Sequence, residues 1–338
     1  MSAKSELDAK STRNPSLEEQ IRTKVREGYG VIAETEQSCC SGASCCGSSP
    51  EVARELAVKL GYDPKILETL PEGTNLGLSC GNPQAIASLQ AGETVLDLGS
   101  GAGFDVFLSA QAVGPTGLAI GVDMTAQMLS KARKNAASFT ERTGLSNVHF
   151  RLGEIEHLPV ADSSIDVVIS NCVLNLSPDK AQVWREIARV LAPGGRVAIS
   201  DLALRKPLPT GVFELTEALV GCVAGAVLVD EIWNAATASG LEEVVIGLKH
   251  EYVAAMENVQ DPLYRQILSL LPEEDRLSDY IVSADISCRK PRKALDDRGE
   301  SGEFGNGPGG GDDLRLASAT PEWHQTSSCC GASESGCC

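Results

Sequence analysis

The chain has 338 residues, of which 42% are hydrophobic and 4% aromatic, with a formal net charge of −17 and a sequence pI near 4.7. That length fits one large domain with additions, or two, and the hydrophobic share is enough for a real core. The acidity disfavours a phosphate-backbone partner and the scarcity of aromatics disfavours a base-stacking platform, so no nucleic-acid partner is expected.

The opening run MSAKSELDAKSTRNPS has no apolar stretch and reads as no secretory signal. Nowhere does the chain approach the ~18 apolar residues of a membrane-spanning helix, so no membrane association is expected. A cytoplasmic setting follows, in which the twelve cysteines stay mostly reduced. Cysteine clusters there read as metal-binding or catalytic groups rather than staples.

Residues 1–70 form an N-terminal helical segment, with a helix predicted over 16–35, short elements at 51–60 and 64–70, and the cluster CCSGASCCG, which holds Cys39, Cys40, Cys45 and Cys46. A core over 71–205 begins with PEGTNLGLSCGNP (71–83), a Gly, Pro and Asn-rich run that reads as an irregular functional loop. Strands are then predicted at 94–99, 118–123, 147–153, 165–170 and 194–201, the last after a Pro-Gly-Gly turn. Helices fall between them at 104–112, 125–143 and 179–191, where Val183, Ile187, Val190 and Leu191 have helical spacing. This alternation predicts a doubly wound, mostly parallel α/β sheet. The region 206–290 reads as a mostly helical insertion (213–240) with two closing strands, 241–249 and 279–290. Residues 291–338 form a flexible, Gly-rich disordered linker and a tail, SSCCGASESGCC, holding Cys329, Cys330, Cys337 and Cys338.

The strongest motif is VLDLGSGAGF (95–104). A strand delivers Gly99, Ser100, Gly101 and Gly103 into a turn that opens a helix, where a ligand can lie close to the backbone. A nicotinamide dinucleotide would want G-x-G-x-x-G. Here the spacing is G-x-G-x-G, and the acid Asp97 stands just before it, which suits a cationic amino group and suits a pyrophosphate badly. The expected cofactor is therefore S-adenosylmethionine. Asp123, ending the second strand, is placed to accept from ribose hydroxyls, although it or Thr125 also reads as a helix N-cap. Met124 offers a soft surface for adenine, Glu154 and Ile155 are placed at its edge, and Asn171 ends the fourth strand beside the same crevice. The glycine turn, the ribose acid, the acidic run after strand three and the Pro-Gly-Gly turn together resemble the class I methyltransferase family over about 90–202, which implies a Rossmann-like fold.

Three cysteines stand where a substrate would sit. They are Cys80 in the loop, Cys172 at the end of the fourth strand and Cys222 in the insertion. Thiolates prefer soft metals and metalloids, yet a free cysteine is often a small buried hydrophobe. Spacing alone divides evenly for Cys222, favours a functional part for Cys80 and favours a structural one for Cys288. The runs VREGYG (25–30), PEGTNLGLSCGNP, VLDLGSGAGFD, IGVDMT (120–125), FRLGEIEHLPVAD (150–162), ISNCVLNLSPDK (169–180) and GCVAGA (221–226) resemble the arsenite methyltransferase family, from about 20 to 290. The resemblance implies that Cys80, Cys172 and Cys222 bind trivalent arsenic and carry the redox chemistry. It implies that arsenite, or its glutathione adduct, is the substrate. It further implies that one of Cys39, Cys40, Cys45 or Cys46 pairs with Cys80, and that thioredoxin or glutathione reopens the disulfide. The tail thiols read either as a solvated tail or as an arsenite-capturing arm. Rival readings are a quinone or sterol C-methyltransferase, which has no use for three thiols, and a metalloid-sequestering thiol protein. Methyl transfer to DNA or protein amines is disfavoured, because SNCV stands where an N-P-P-Y-type run would be and no basic stretch is present.

Overall fold

A computed structural model describes residues 15–35, 50–215, 218, 222–249, 253 and 262–292. In chain order the elements are α1 (Pro15–Thr35), α2 (Pro50–Lys59), α3 (Pro64–Leu67), α4 (Pro83–Ala87), β1 (Thr94–Leu98), α5 (Phe104–Val113), β2 (Leu118–Asp123), α6 (Ala126–Thr143), β3 (Val148–Leu152), β4 (Ile165–Asn171), α7 (Lys180–Val190), β5 (Leu191–Leu204), α8 (Val229–Ala238), β6 (Glu242–Lys249), α9 (Pro262–Ser269) and β7 (Ile281–Arg289).

The strands make one seven-stranded sheet in the order β3-β2-β1-β4-β5-β7-β6. β1 through β5 run parallel, and β7 runs antiparallel to both its neighbours. The expected mostly parallel, doubly wound sheet is thus present. The order reverses between β1 and β4, where the carboxyl ends of the strands diverge and open a crevice. Continuous apolar runs fit the central positions: Val95, Leu96, Leu98, Val167, Val168 and Ile169 are fully buried, as strands covered on both faces require.

Helices cover both faces. α7 shows how sequence sets this packing. The Asp179 side chain accepts from the Gln182 N–H at 3.1 Å and caps its start. The spacing of Val183, Trp184, Ile187 and Val190 then turns one stripe into the sheet. Each of those side chains contributes on the order of 1.5–3 kcal/mol by leaving water. On the other face Phe107, Phe139 and Phe150 join α5, α6 and β3, with ring centroids 4.8 and 5.7 Å apart.

One expectation changes. β5 begins at Leu191, not after the Pro-Gly-Gly turn. Those residues form an irregularity inside the ladder, between the pairs Ile165–Leu191 and Val167–Arg196. Gly195 is pressed there against the carbonyls of Ile165 and Asp166 at 3.1 and 3.0 Å from where a Cβ would stand. In the stretch 213–240, the described residues include the end of a 3-10 turn at Thr210–Glu214, a helical residue at Ala218 and α8, while residues 222–228 are irregular. The terminal clusters Cys39, Cys40, Cys45, Cys46 and Cys329, Cys330, Cys337, Cys338, and the linker from 293 onward, lie outside the described residues. Among the described residues no helix is long and apolar enough to cross a membrane.

Candidate active site

The crevice at the β1/β4 reversal encloses about 1020 Å³ of space counted out to its open mouth, enough for a nucleoside-sized ligand. The glycine turn forms its floor. Gly99 has φ 68°, and a Cβ there would stand 2.4 Å from Val173 Cγ2, so only glycine lets the end of β4 close against the turn. Gly101, at φ 51°, turns its N–H onto Asp123 Oδ2 at 2.9 Å. Gly103 does not line the crevice; a Cβ on it would meet Phe107 and Phe150 at 2.6 and 2.9 Å, so its place is in packing.

Three buried aspartates face this space, Asp97, Asp105 and Asp123. Burial raises Asp97 well above the ordinary carboxylate range, and the charges of Asp105 and Asp123 raise it further. Burial also raises Asp105, against hydrogen bonds from Asn171, Tyr62 and Gln84. Asp123 is raised by burial too, opposed by the N–H groups of Thr125 (2.8 Å) and Gly101. Thr125 occupies the N-cap position of α6 but makes no capping bond with its side chain, so the acid and the cap residue share that helix start. Among the described residues the Asp97 carboxylate accepts no hydrogen bond from the protein. The crevice therefore concentrates negative charge that a cation would relieve.

Met124, Ile155 and Asn171 line the crevice with Ser100. Asn171 also ties the thiol loop down. Its Nδ2 donates to Tyr62 Oη (3.0 Å), the Gly81 carbonyl (3.1 Å) and Asp105 Oδ2 (3.2 Å), and its Oδ1 accepts from the Cys80 N–H (3.2 Å). Glu154 turns elsewhere. It pairs with Arg22 at 3.7 Å and Arg26 at 3.3 Å, which holds α1 beside the crevice, while its neighbour Glu156 lines the wall. α1 itself contributes Arg22, Val25 and Tyr29 to the lining.

Where the crevice meets β4, Cys80 and Cys172 are joined by a disulfide, with Cα atoms 5.9 Å apart. The expected partners of Cys80 in the N-terminal cluster are outside the described residues; here Cys80 closes on Cys172 instead, because β4 ends beside its loop. Gly81 allows that approach: a Cβ there would stand 2.4 Å from Ser200 Cβ on β5. Cys172 and Cys222 both hold left-handed backbone, φ 57° and 65°, an uncommon state for non-glycine residues that clusters at functional sites. The Cys222 thiol donates to the Cys172 carbonyl at 2.9 Å. All three cysteines are buried. Cys288 sits apart, buried in β7, where burial pushes its thiol up to about 12; its position is structural.

Several residues of this site were not singled out from the sequence. Asp201 has a carboxylate oxygen that lies within 4.8 Å of the sulfurs of both Cys80 and Cys172. It accepts from Asn175 Nδ2 and the Leu202 N–H, each at 2.8 Å. Burial raises its carboxyl to about 6, against hydrogen bonds from the backbone N–H groups of Leu202 and Asn175 and the nearby Lys180 ammonium. Lys180 is partly buried beside it and donates to the Ser177 carbonyl at 2.9 Å. Tyr62 and Asp105 complete the polar anchor around Asn171. The available signals were Asp105, Asn175 and Lys180 inside the quoted motifs, and the one acid in a mostly apolar fifth strand.

A family model described as "Methyltransferase domain" matches residues 89–258. The arsenite methyltransferase of Halobacterium salinarum is 46% identical over 283 residues, 81% of this chain and 68% of that protein. The arsenite methyltransferase of Aquipseudomonas alcaligenes is 38% identical over 214 residues, 62% of this chain and 58% of that protein. Among solved structures, Haemonchus contortus phosphoethanolamine N-methyltransferase 2 in complex with S-adenosyl-L-methionine shares the fold. It has a TM-score of 0.51 and 19% identity, with 71% of this chain and 60% of that one covered.

Proposed function

The chain belongs to the arsenite methyltransferase family and is an S-adenosylmethionine-dependent transferase, and from that premise we propose that its crevice methylates trivalent arsenic held by the thiols of Cys80, Cys172 and Cys222. The observation that carries this reading is the meeting of two features at one residue. Cys172 lines the same crevice as the glycine turn and the three carboxylates, and it touches both other thiol-bearing segments.

The residues fit the cofactor. Asp97, buried and without a hydrogen bond of its own, matches the ammonium of the methionine moiety; Asp123 matches the ribose hydroxyls; Met124 and Ile155 offer adenine a soft wall. When bound, S-adenosylmethionine supplies an electrophilic methyl group. The protein's part is to place arsenic in line with it and keep water away. An arsenic lone pair needs no general base, so proximity and orientation carry the catalysis.

The thiols must first be freed. A dithiol or thiol reductant, thioredoxin or glutathione, delivers two electrons and two protons to the Cys80–Cys172 disulfide and is itself oxidised. Arsenite or its glutathione adduct then exchanges its ligands onto the three protein sulfurs, releasing water or glutathione. Oxidised arsenic is returned to the trivalent state by two electrons from two protein thiols, which regenerates a disulfide. One of Cys39, Cys40, Cys45 or Cys46 serves as a further partner for Cys80 in that cycle. The products are mono- and dimethylated arsenicals. Such chemistry belongs in a reducing cytoplasm, where it serves arsenic detoxification.

The test is incubation of the purified protein with arsenite, S-adenosylmethionine and a thiol reductant, followed by chromatographic separation with elemental detection. Methylated arsenic from the parent and none from Cys172→Ser is the expected result. Arsenite bound without methylated product, while S-adenosylmethionine demonstrably binds, would replace this reading with sequestration.

A further inference from the structure

The arsenic reading uses three sulfurs and leaves Asp201 without a part. Yet the Asp201 carboxylate oxygen and the sulfurs of Cys80 and Cys172 all lie within 4.8 Å of one another, and all three residues are buried. They come from three separate pieces of chain: the loop before α4, the residue after β4 and the interior of β5. Each piece is pinned. The Cys80 N–H donates to Asn171 Oδ1, and the Cys80 carbonyl accepts from Ser283 Oγ at 2.9 Å. The Cys172 N–H donates to the Ser200 carbonyl at 2.8 Å. Asp201 is held by Asn175 and the Leu202 N–H.

The charge environment of this trio depends on its oxidation state. With the disulfide closed, the Asp201 carboxylate faces the Lys180 ammonium and the sulfurs carry no charge. With the disulfide open and both sulfurs ionised, two thiolates and a carboxylate would be buried against one ammonium. That ammonium also faces Glu156 and Glu231. Buried charge of this kind is costly unless it is compensated. A divalent cation offsets it: its two positive charges balance the two thiolates that reduction creates, and Asp201 keeps the Lys180 ammonium it already faces. Two thiolates and one carboxylate, with a fourth position for water, are a donor set that zinc accepts.

We propose that reduction of the Cys80–Cys172 disulfide creates a buried binding site for a soft divalent cation of the zinc and cadmium kind, with Cys80, Cys172 and Asp201 as its protein ligands. The cation binds as the two thiols release their protons to solvent. Oxidation to the disulfide removes two of its three ligands, so the site exists in the reduced protein only. It goes beyond the arsenic reading and does not rest on it. Where both hold, the cation occupies two of the sulfurs that arsenic needs, so it inhibits methylation in competition with arsenite.

The test uses the full-length chain with Cys39, Cys40, Cys45, Cys46, Cys329, Cys330, Cys337 and Cys338 changed to serine, so that terminal thiols take up no metal. A water-soluble phosphine reduces the disulfide anaerobically. One water supplies the two sulfur-bound protons and its oxygen leaves on the phosphine oxide. Zinc is then titrated against a chromophoric chelator, with S-adenosylmethionine binding measured alongside as a check on folding. The reduced protein should take up one equivalent of zinc and the oxidised protein none. Changes even in the outer partners of a metal cost about 10–100-fold in affinity, so Asp201→Asn should weaken zinc binding at least about tenfold. Cys80→Ser should do the same. The comparison of oxidised with reduced parent protein needs no variant to fold. No zinc uptake by the reduced parent, equal uptake in both redox states, or an affinity within about twofold of the parent in a folded Asp201→Asn would overturn the proposal. Failure of arsenite methylation with zinc uptake intact would overturn only the arsenic reading.

Discussion

The glycine-turn crevice and the thiol cluster share Cys172, but they are assembled in opposite ways. The crevice is local: Asp97, Gly99, Gly101 and Asp105 fall within nine consecutive positions, and Asp123 ends the next strand along the chain. Its geometry follows from one strand-turn-helix unit and one parallel neighbour. The thiol cluster is global. Cys80 and Cys172 are 92 residues apart, and Cys222 reaches the Cys172 carbonyl across a further 50. Its geometry depends on the register of β4 against β5, on a left-handed backbone at two cysteines and on Gly81 meeting Ser200. A local site tolerates change elsewhere in the fold, whereas a site closed by long-range contacts is lost when any one of them shifts.

That contrast can be broken by experiment. The largest expected effect is at the shared residue. Cys172→Ser should lower methylation, read from separated arsenic species, on the order of a hundredfold or more, while S-adenosylmethionine affinity by calorimetry stays within about twofold. A parallel loss of cofactor binding would mean that the two regions are one.

Gly99→Ala comes next. The new Cβ meets Val173 in a left-handed backbone, so urea unfolding should show a loss of about 2–4 kcal/mol. Cofactor binding should weaken with it. Because Gly99 packs the two regions together, unchanged stability would show that the end of β4 is free to move.

Asp123→Asn should weaken S-adenosylmethionine binding about tenfold and leave arsenite stoichiometry unchanged. The three crevice carboxylates also predict a pH dependence. Their folded-state affinities for protons are raised above the ordinary value of 3.8. The folded protein therefore holds protons that the unfolded chain has released, and this costs stability as pH rises from that value through the raised ones. The cost is absent below the ordinary value and complete above the raised ones. A cationic ligand favours the ionised carboxylates and offsets the cost. The rise in Tm caused by S-adenosylmethionine should therefore grow with pH across this window. A rise that is constant or shrinks would remove the electrostatic part assigned to the carboxylates.

The smallest effect belongs to Glu154. Its pairs with Arg22 and Arg26 are partly exposed, and Glu154→Gln should cost about 0.5 kcal/mol or less, with cofactor affinity nearly unchanged. A loss equal to that of Asp123→Asn would put this acid on the cofactor after all.

The same contrast explains what was legible in the sequence. Strands and helices of the sheet could be read because their apolar periods are local, and TVLDL, LAIGVD and IDVVISN fall on β1, β2 and β4. The glycine turn could be read because its chemistry is contiguous. The closure of Cys80 on Cys172 could not, since it depends on two strands and a loop meeting in space. Asp201 was hidden for a related reason: antiparallel pairing with β7 carries β5 on to Leu204, so an acid that looks like a strand end is an interior residue facing the sulfurs. Glu154 and Glu156 are alternate acids on one short segment, and only packing of α1 decides which one turns to the crevice.

The most direct test of the central claim is to count the sulfur neighbours of arsenic by X-ray absorption. The sample is the reduced full-length chain with its eight terminal cysteines changed to serine, loaded with one equivalent of arsenite. Three sulfur neighbours in the parent, falling to two in Cys222→Ser, is the predicted result. Two or fewer in the parent, or a count that Cys222→Ser leaves unchanged, would contradict the assignment of Cys80, Cys172 and Cys222 to one arsenic atom.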